Sequence, residues 1–123
     1  MKLMNLTPHK VRVLDGDERE ILTILPSGPV ARVSVTRQQM GVIPLSDDAA
    51  KVMANLRGAV IPVFVGTYGE VTDLPASEPG TIYIVSAMVR QAMPHRRDVM
   101  SPGELVRGED GQPVGCRGLE ANQ

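Results

Sequence analysis

Turn-forming residues recur along the whole chain, 12 glycines and 10 prolines in 123 residues, and this punctuation leaves room for many short elements and few long ones. Glycine opens backbone conformations closed to other residues, and proline fixes φ and removes a donor, so each cluster interrupts the regular structure before it. The segments between breaks carry β-type patterns. Lys2–Leu6 and Lys10–Leu14 concentrate Leu3, Leu6, Val11 and Val13 around the break Thr7-Pro8-His9, which predicts two short strands. Asp15-Gly16-Asp17 then turns the chain into a second β-type run, Glu20–Leu25, so Val11–Ile24 reads as a hairpin. After Pro26-Ser27-Gly28-Pro29, the alternation of Val30, Arg32 and Ser34 with Ala31, Val33 and Val35 describes a half-buried strand. Together these strands are expected to form one antiparallel meander.

Ser46–Arg57 has the pattern of a capped helix. Ser46 suits the N-cap, Asp47 and Asp48 favour the positive end of the helix dipole, Ala49, Val52, Met53 and Leu56 repeat at helical spacing, and Gly58 suits the C′ position. Ala59–Gly66 is β-branched and apolar, with Pro62 marking an edge or a bulge, and Glu70–Leu74 extends its pairing. Thr81–Val85 is a continuous apolar run of the kind buried on both faces, the best central strand. It leads without a linker into Ser86–Met93, a short helix with Ser86 at its N-cap and Pro94 as its stop. Glu104–Arg107 and Pro113–Arg117 flank Gly108-Glu109-Asp110-Gly111 as a terminal hairpin. The expected class is α+β: a small, mostly antiparallel β-sheet or partly open barrel with two short helices. Residues 1–123 read as a single domain, with a helical insertion at 38–58 and a loose tail at 120–123.

Composition removes whole classes of function. With 13 Lys+Arg against 14 Asp+Glu and a net charge of −1, the chain lacks the broad positive field that extended nucleic acid requires. Phe64, Tyr68 and Tyr83 are its only aromatics, too few to stack successive bases. Apolar runs such as Gly58–Gly66 are far shorter than the roughly 20 residues of a membrane span, and residues 1–9 lack a signal-peptide pattern. No membrane association and a cytoplasmic location are therefore expected. Cys116 is the single cysteine and the two histidines are distant in sequence, so neither a disulfide nor a local metal-ligand spacing arises, and no cofactor is expected. Neither G-x-x-x-x-G-K-[ST] nor G-x-G-x-x-G occurs.

What remains points to an anion. A buried strand that ends in a hydroxyl residue and opens a helix leaves amide donors at its carboxyl end, which makes Ser86, Ala87 and Met88 a candidate cradle as well as an ordinary N-cap. Arg90, His95, Arg96 and Arg97 follow without an intervening acid, and the planar guanidinium suits phosphate or carboxylate. Asp98 is the competitor for Arg96 or Arg97. Arg32 and Arg12 lie among apolar residues, where an arginine binds a carboxylate within the fold or lines a cleft. His9, held beside Pro8, is either a structural histidine or a placed donor and base. No G-x-S-x-G elbow supports a nucleophilic serine, Asp47-Asp48 and Glu109-Asp110 are explained by helix charge and a turn, and Cys116 reads as a small buried apolar residue.

Asn5-Leu6-Thr7-Pro8-His9, Pro26-Ser27-Gly28-Pro29-Val30-Ala31-Arg32-Val33, Gly69-Glu70-Val71-Thr72-Asp73-Leu74-Pro75, Tyr83-Ile84-Val85-Ser86, Asp98-Val99-Met100-Ser101-Pro102-Gly103 and Asp110-Gly111-Gln112-Pro113-Val114-Gly115-Cys116 resemble segments of a family of small proteins of phages, prophages and bacterial genomes. The resemblance spans nearly the whole chain except roughly 38–58. It implies a cytoplasmic setting in a bacterium or infected host and an accessory phage-related role, and it supplies no site residues.

The leading expectation is a non-enzymatic binding module for a small anionic ligand, such as a nucleotide or nucleotide-derived signal, with Ser86, Ala87, Arg90, Arg96, Arg97, Arg32 and His9 as ligand-binding residues. A homo-oligomer is expected from a small core with strand edges to cover. The alternatives are a metal-independent phosphodiesterase using His9 and an assembly component that engages a partner chain.

Overall fold

The computed structural model describes residues 1–44 and 60–123. In chain order the described elements are β1 (Lys2–Asn5), β2 (Val11–Leu14), β3 (Glu20–Ile24), β4 (Arg32–Pro44), β5 (Val60–Thr72), β6 (Thr81–Ile84), the helix α1 (Ala87–Ala92), β7 (Val99–Pro102), β8 (Leu105–Arg107), β9 (Pro113–Cys116) and β10 (Leu119–Ala121). The class is α+β, with one short helix among the described residues. The helix expected over Ser46–Arg57, and most of the insertion expected over 38–58, lie outside them. The chain divides into two compact units, 1–33 with 70–123 and 34–69.

In the first unit, β6 decides the architecture. Successive side chains of a strand point to opposite faces, so Tyr83 and Val85 go one way and Ile84 the other. Tyr83 and Val85 pack with Leu6, Ala31, Val99 and Val89 of α1. Ile84 packs with Val11 of β2 and Cys116 of β9, supported by Leu3, Val13, Ile24 and Leu119. Thus β6 lies between a helix on one side and a second sheet on the other, and Tyr83 and Ile84 are buried although they face opposite ways. Ile84 is wholly buried, which stabilises the fold by about 1.5–3 kcal/mol relative to leaving it in water.

A strand buried on both faces also needs partners on both edges, since its backbone groups cannot turn to solvent. These partners come from far along the chain. The first sheet has the order β1-β6-β7-β10; β1 and β7 run parallel to β6, and β10 runs antiparallel to β7. The second has the order β3-β2-β9-β8; β2 pairs antiparallel with β3 and parallel with β9, and β8 and β9 form the terminal hairpin. Both sheets are mixed and neither closes into a barrel. The expected amino-terminal meander is therefore corrected: only β2 and β3 pair as neighbours, while β1 joins β6 with Lys2 opposite Thr81.

The helix α1 starts as its sequence predicts. Ser86 is the N-cap, and its Oγ accepts the Val89 amide at 3.2 Å. Its other end is closed by the carboxyl terminus of the chain. The two protons of Asn122 Nδ2 are shared among the carbonyls of Met93 (2.8 Å), Arg96 (3.0 Å) and Arg90 (3.3 Å). The Arg90 and Met93 carbonyls already accept the Met93 and Arg96 amides, so Asn122 adds a second donor at the end of the helix and supplies one to the Arg96 carbonyl beyond it. The tail expected to be loose at 120–123 is thus held, through β10 and then through Asn122.

The second unit is built from the outer parts of β4 and β5, which form a two-stranded sheet. Each strand is 13 residues long, against an expectation of short elements ending near Val35. Its two strands approach closely at Gly69, where an added β-carbon would fall on the Ser34 hydroxyl. On one face, Arg37 lies over the Phe64 ring, 4.4 Å from its centroid.

Candidate functional site

The cations expected around Ser86 are largely engaged within the fold. Arg90 Nε donates to Ser101 Oγ at 2.8 Å, its Nη1 donates to Asn122 Oδ1 at 3.2 Å, and its Nη2 lies 3.6 Å from a Glu120 oxygen. Arg96 forms a fork with Asp98, both bonds 2.8 Å, and also donates to the Pro75 carbonyl at 3.0 Å. The hydrogen bonds from Arg96 hold the Asp98 carboxyl below its ordinary value, against the opposing effect of burial and with help from Ser77; the same pairing raises Arg96. Asp98 therefore wins the competition that its position suggested. Ser86, Ala87, Met88, His95 and Arg97 are exposed, as is Arg32 at the head of β4. A helix of six residues with its capping hydroxyl already bonded offers little to an external anion.

His9 lies elsewhere, and its neighbourhood is built by one buried side chain. Asn5, at the end of β1, is wholly buried. Its Nδ2 donates to the carbonyls of His9 (2.8 Å) and Ile24 (2.9 Å), and its Oδ1 accepts from the Thr7 amide (3.0 Å) and the Thr7 hydroxyl (2.6 Å). All four of its hydrogen-bonding positions are filled. The Thr7 hydroxyl, whose one proton goes to Asn5 Oδ1, also lies 2.8 Å from the His9 carbonyl, so the His9 backbone is held by the Asn5 amide at the point where the chain enters β2.

Past this turn, His9, Lys10, Val11 and Arg12 form one wall of a recess of about 690 Å³. Pro102, Leu105 and the β9 residues Pro113, Val114, Gly115 and Cys116 supply the rest. The junction depends on Gly115. A β-carbon there would sit 2.8 Å from Leu14 Cδ1 and 3.0 Å from the Arg12 carbonyl oxygen, so a side chain at 115 would force Leu14 to move and would crowd β9 against the β2 backbone. Val11 and Cys116 are buried, and among the described residues no carboxylate lines the recess.

Three groups of cationic type stand along this wall. Arg12 is fixed by two bonds, Nε to Glu20 Oε1 at 3.0 Å and Nη1 to the Val114 carbonyl at 3.1 Å, so it binds a carboxylate within the fold and lines the cleft as well. The Thr23 hydroxyl, and then Arg12, lower the Glu20 carboxyl by hydrogen bonding. The exposed His9 and Lys10 side chains make no hydrogen bond or ion pair among the described residues. Of the expected site residues, the recess includes His9 and none of Ser86, Ala87, Arg90, Arg96, Arg97 or Arg32. Lys10 was not singled out by sequence reasoning. Its signal is the pattern Lys10-Val11-Arg12, two cations flanking the buried Val11 at the point where β2 begins.

Comparison with protein-family models, curated proteins and solved structures returns no match to this chain. Among the described residues, no group of three or more His, Cys, Asp or Glu side chains could hold a metal ion, and no helix is long and apolar enough to cross a membrane.

Proposed function

We propose that this protein is a binding module that captures a small organic anion in the recess between β2 and β9. One observation carries the reading: among the described residues, His9, Lys10 and Arg12 stand along one wall of a cavity whose other lining residues are apolar or glycine and include no carboxylate. Its volume, about 690 Å³, falls in the range of small-molecule sites. Apolar area and a few convergent polar groups are the usual division of labour in such sites, the first for affinity and the second for orientation.

The ligand class follows from that lining. Pro102, Leu105, Pro113 and Val114 offer apolar contact, while Lys10, and the Arg12 donors not spent on Glu20 and Val114, offer charge-assisted hydrogen bonds to an anionic group. A nucleotide or nucleotide-derived signal combines both parts. Titration calorimetry with nucleoside mono- and diphosphates, cyclic nucleotides, the uncharged nucleosides and inorganic phosphate tests this. Heat is expected for the nucleotides, with the nucleosides and phosphate alone each weaker, and Lys10→Ala is expected to weaken nucleotide binding about tenfold, the loss of one charge-assisted bond. Absence of heat for every probe overturns the reading. Chromatography of the same mixtures checks for turnover: a product that disappears in His9→Ala replaces capture by catalysis at His9.

A further inference from the structure

The recess lies in the first unit, and the largest anomaly of the molecule lies in the second. On the β4–β5 ribbon, Val35, Met40, Val42, Ile43, Val60, Ile61, Val63, Phe64 and Val65 are each between 36% and 71% exposed. Arg37 is the only charged side chain in 34–44 and 60–69, and it is stacked on Phe64 of its own ribbon. Alternation along the strands puts Val35, Ile43, Val60 and Phe64 on one face and Met40, Val42, Ile61, Val63 and Val65 on the other, so turning the ribbon over does not hide them. A two-stranded ribbon is marginal in water, and natural sheets guard free edges with charges, which this one lacks.

We propose that the outer edge of β4 pairs with the same edge of a second copy of this chain, across a two-fold axis, to form a continuous four-stranded sheet with apolar faces. The choice between edges rests on Pro62. Proline donates no hydrogen bond and is tolerated within sheets where its missing N–H faces an edge, so the outer edge of β5 is interrupted. The edge of β4 runs from Arg32 to Ile43 without a proline and, among the described residues, pairs only with β5.

A second copy fits this surface better than a different protein. An edge that meets itself is self-complementary by symmetry, and the lone Arg37 is already satisfied on its own ring, so two copies bring no unpaired charges together. A surface with so little charge carries few features to select a foreign partner, whereas homodimer interfaces are the more apolar class. Pairing at the β4 edge satisfies its outward backbone groups and brings the exposed Val35, Met40, Val42 and Ile43 side chains of the two copies side by side across the seam.

Sedimentation velocity of the full chain, with hydrogen exchange followed by mass spectrometry, tests the pairing. A mass of twice the 13.2 kDa chain, or another even multiple, is expected, with amides of 34–43 protected in the assembly and exposed on dilution. Met40→Lys combined with Val42→Lys is expected to weaken assembly at least about 30-fold, as loss of a central apolar anchor does, while β6 amides keep their protection and so report an intact first unit. A single-chain mass at every soluble concentration overturns the proposal, as does an odd number of chains. So does protection of 34–43 that ignores dilution, which would mean cover from the chain itself, or an even assembly that the double variant leaves unchanged.

Discussion

The two units put similar residues to opposite uses. In 1–33 with 70–123, strands of three to five residues place Tyr83, Ile84, Val85 and Val99 out of water. In 34–69, strands of 13 residues leave Ile61, Val63, Phe64 and Val65 exposed. Val63-Phe64-Val65 in β5 is no less apolar than Tyr83-Ile84-Val85 at the end of β6. The difference lies in what surrounds the strand: β6 has a strand on each edge and a layer on each face, while β5 has one partner strand among the described residues. Burial is a property of the assembly of segments, so an apolar run states a requirement for cover and does not say which segment, or which copy of the chain, provides it.

The sharpest way to break this comparison is one apolar truncation in each unit. Ile84→Ala removes a wholly buried side chain and is expected to destabilise by about 2–5 kcal/mol, the lost transfer energy plus the cavity left behind. That is a large share of the roughly 5–15 kcal/mol that holds a domain of ordinary stability. Ile61→Ala removes a side chain already 48% exposed, and in dilute protein it is expected to change stability by less than about 0.5 kcal/mol. Urea unfolding of both variants decides the matter; equal losses would mean that the ribbon is covered within a single chain.

A smaller effect, confined to the first unit, is expected at Asn5. Asn5→Ala removes one side chain that satisfies the His9 and Ile24 carbonyls and the Thr7 amide, and buried groups left unpaired cost about 1–3 kcal/mol each. Water can reach the partly exposed turn and recover some of this, so a net loss of about 3 kcal/mol is expected, again by urea unfolding. The turn also fixes the backbone of His9. Calorimetry on Asn5→Ala is therefore expected to show weakened nucleotide binding although Asn5 does not line the recess.

Much of the first unit was legible because its signals are local. The Asp-Gly turns, the period of two, the unbroken run Thr81–Val85 and the capping hydroxyl of Ser86 each act within a few residues, and the β2–β3 and β8–β9 hairpins follow from them. The parallel pairings were not legible. Val13 meets Cys116 and Asn5 meets Ile84 across separations that no local pattern records. The ribbon was half legible: the alternation read from the sequence stops at Val35, before the polar stretch Thr36-Arg37-Gln38-Gln39, yet β4 continues to Pro44 with β5 paired alongside it. For the site, a run of arginines states charge without stating partners, and Glu120, Asn122 and Ser101 reach Arg90 only through the packing of β10 and β7. His9 was visible because Pro8 beside it marks a fixed turn; its companions Lys10 and Arg12 became a group only when β9 closed the other side of the recess.

The smallest expected effect separates the units by acid. Residues 34–44 and 60–69 contain no carboxylate, so within the described chain the acid response belongs to the first unit. Asp98 is its best-placed contributor, with its side chain 16% exposed and held by two bonds from Arg96. Because folding lowers its pKa, the unfolded chain takes up the proton first; the stability from this pair is complete above the ordinary value of 3.8 and is lost as pH falls through the lower folded value. Asp98→Asn is therefore expected to be less stable than the parent by on the order of 1 kcal/mol at neutral pH, the scale of one partly solvated, well-formed ion pair. The two proteins should converge in acid, since the parent then also carries a neutral side chain at 98. Unfolding curves taken from neutrality down past the carboxylate range measure the gap. A gap that stays constant with pH would mean that Asp98 acts by shape and neutral hydrogen bonding, and that the fork to Arg96 contributes nothing through its charge.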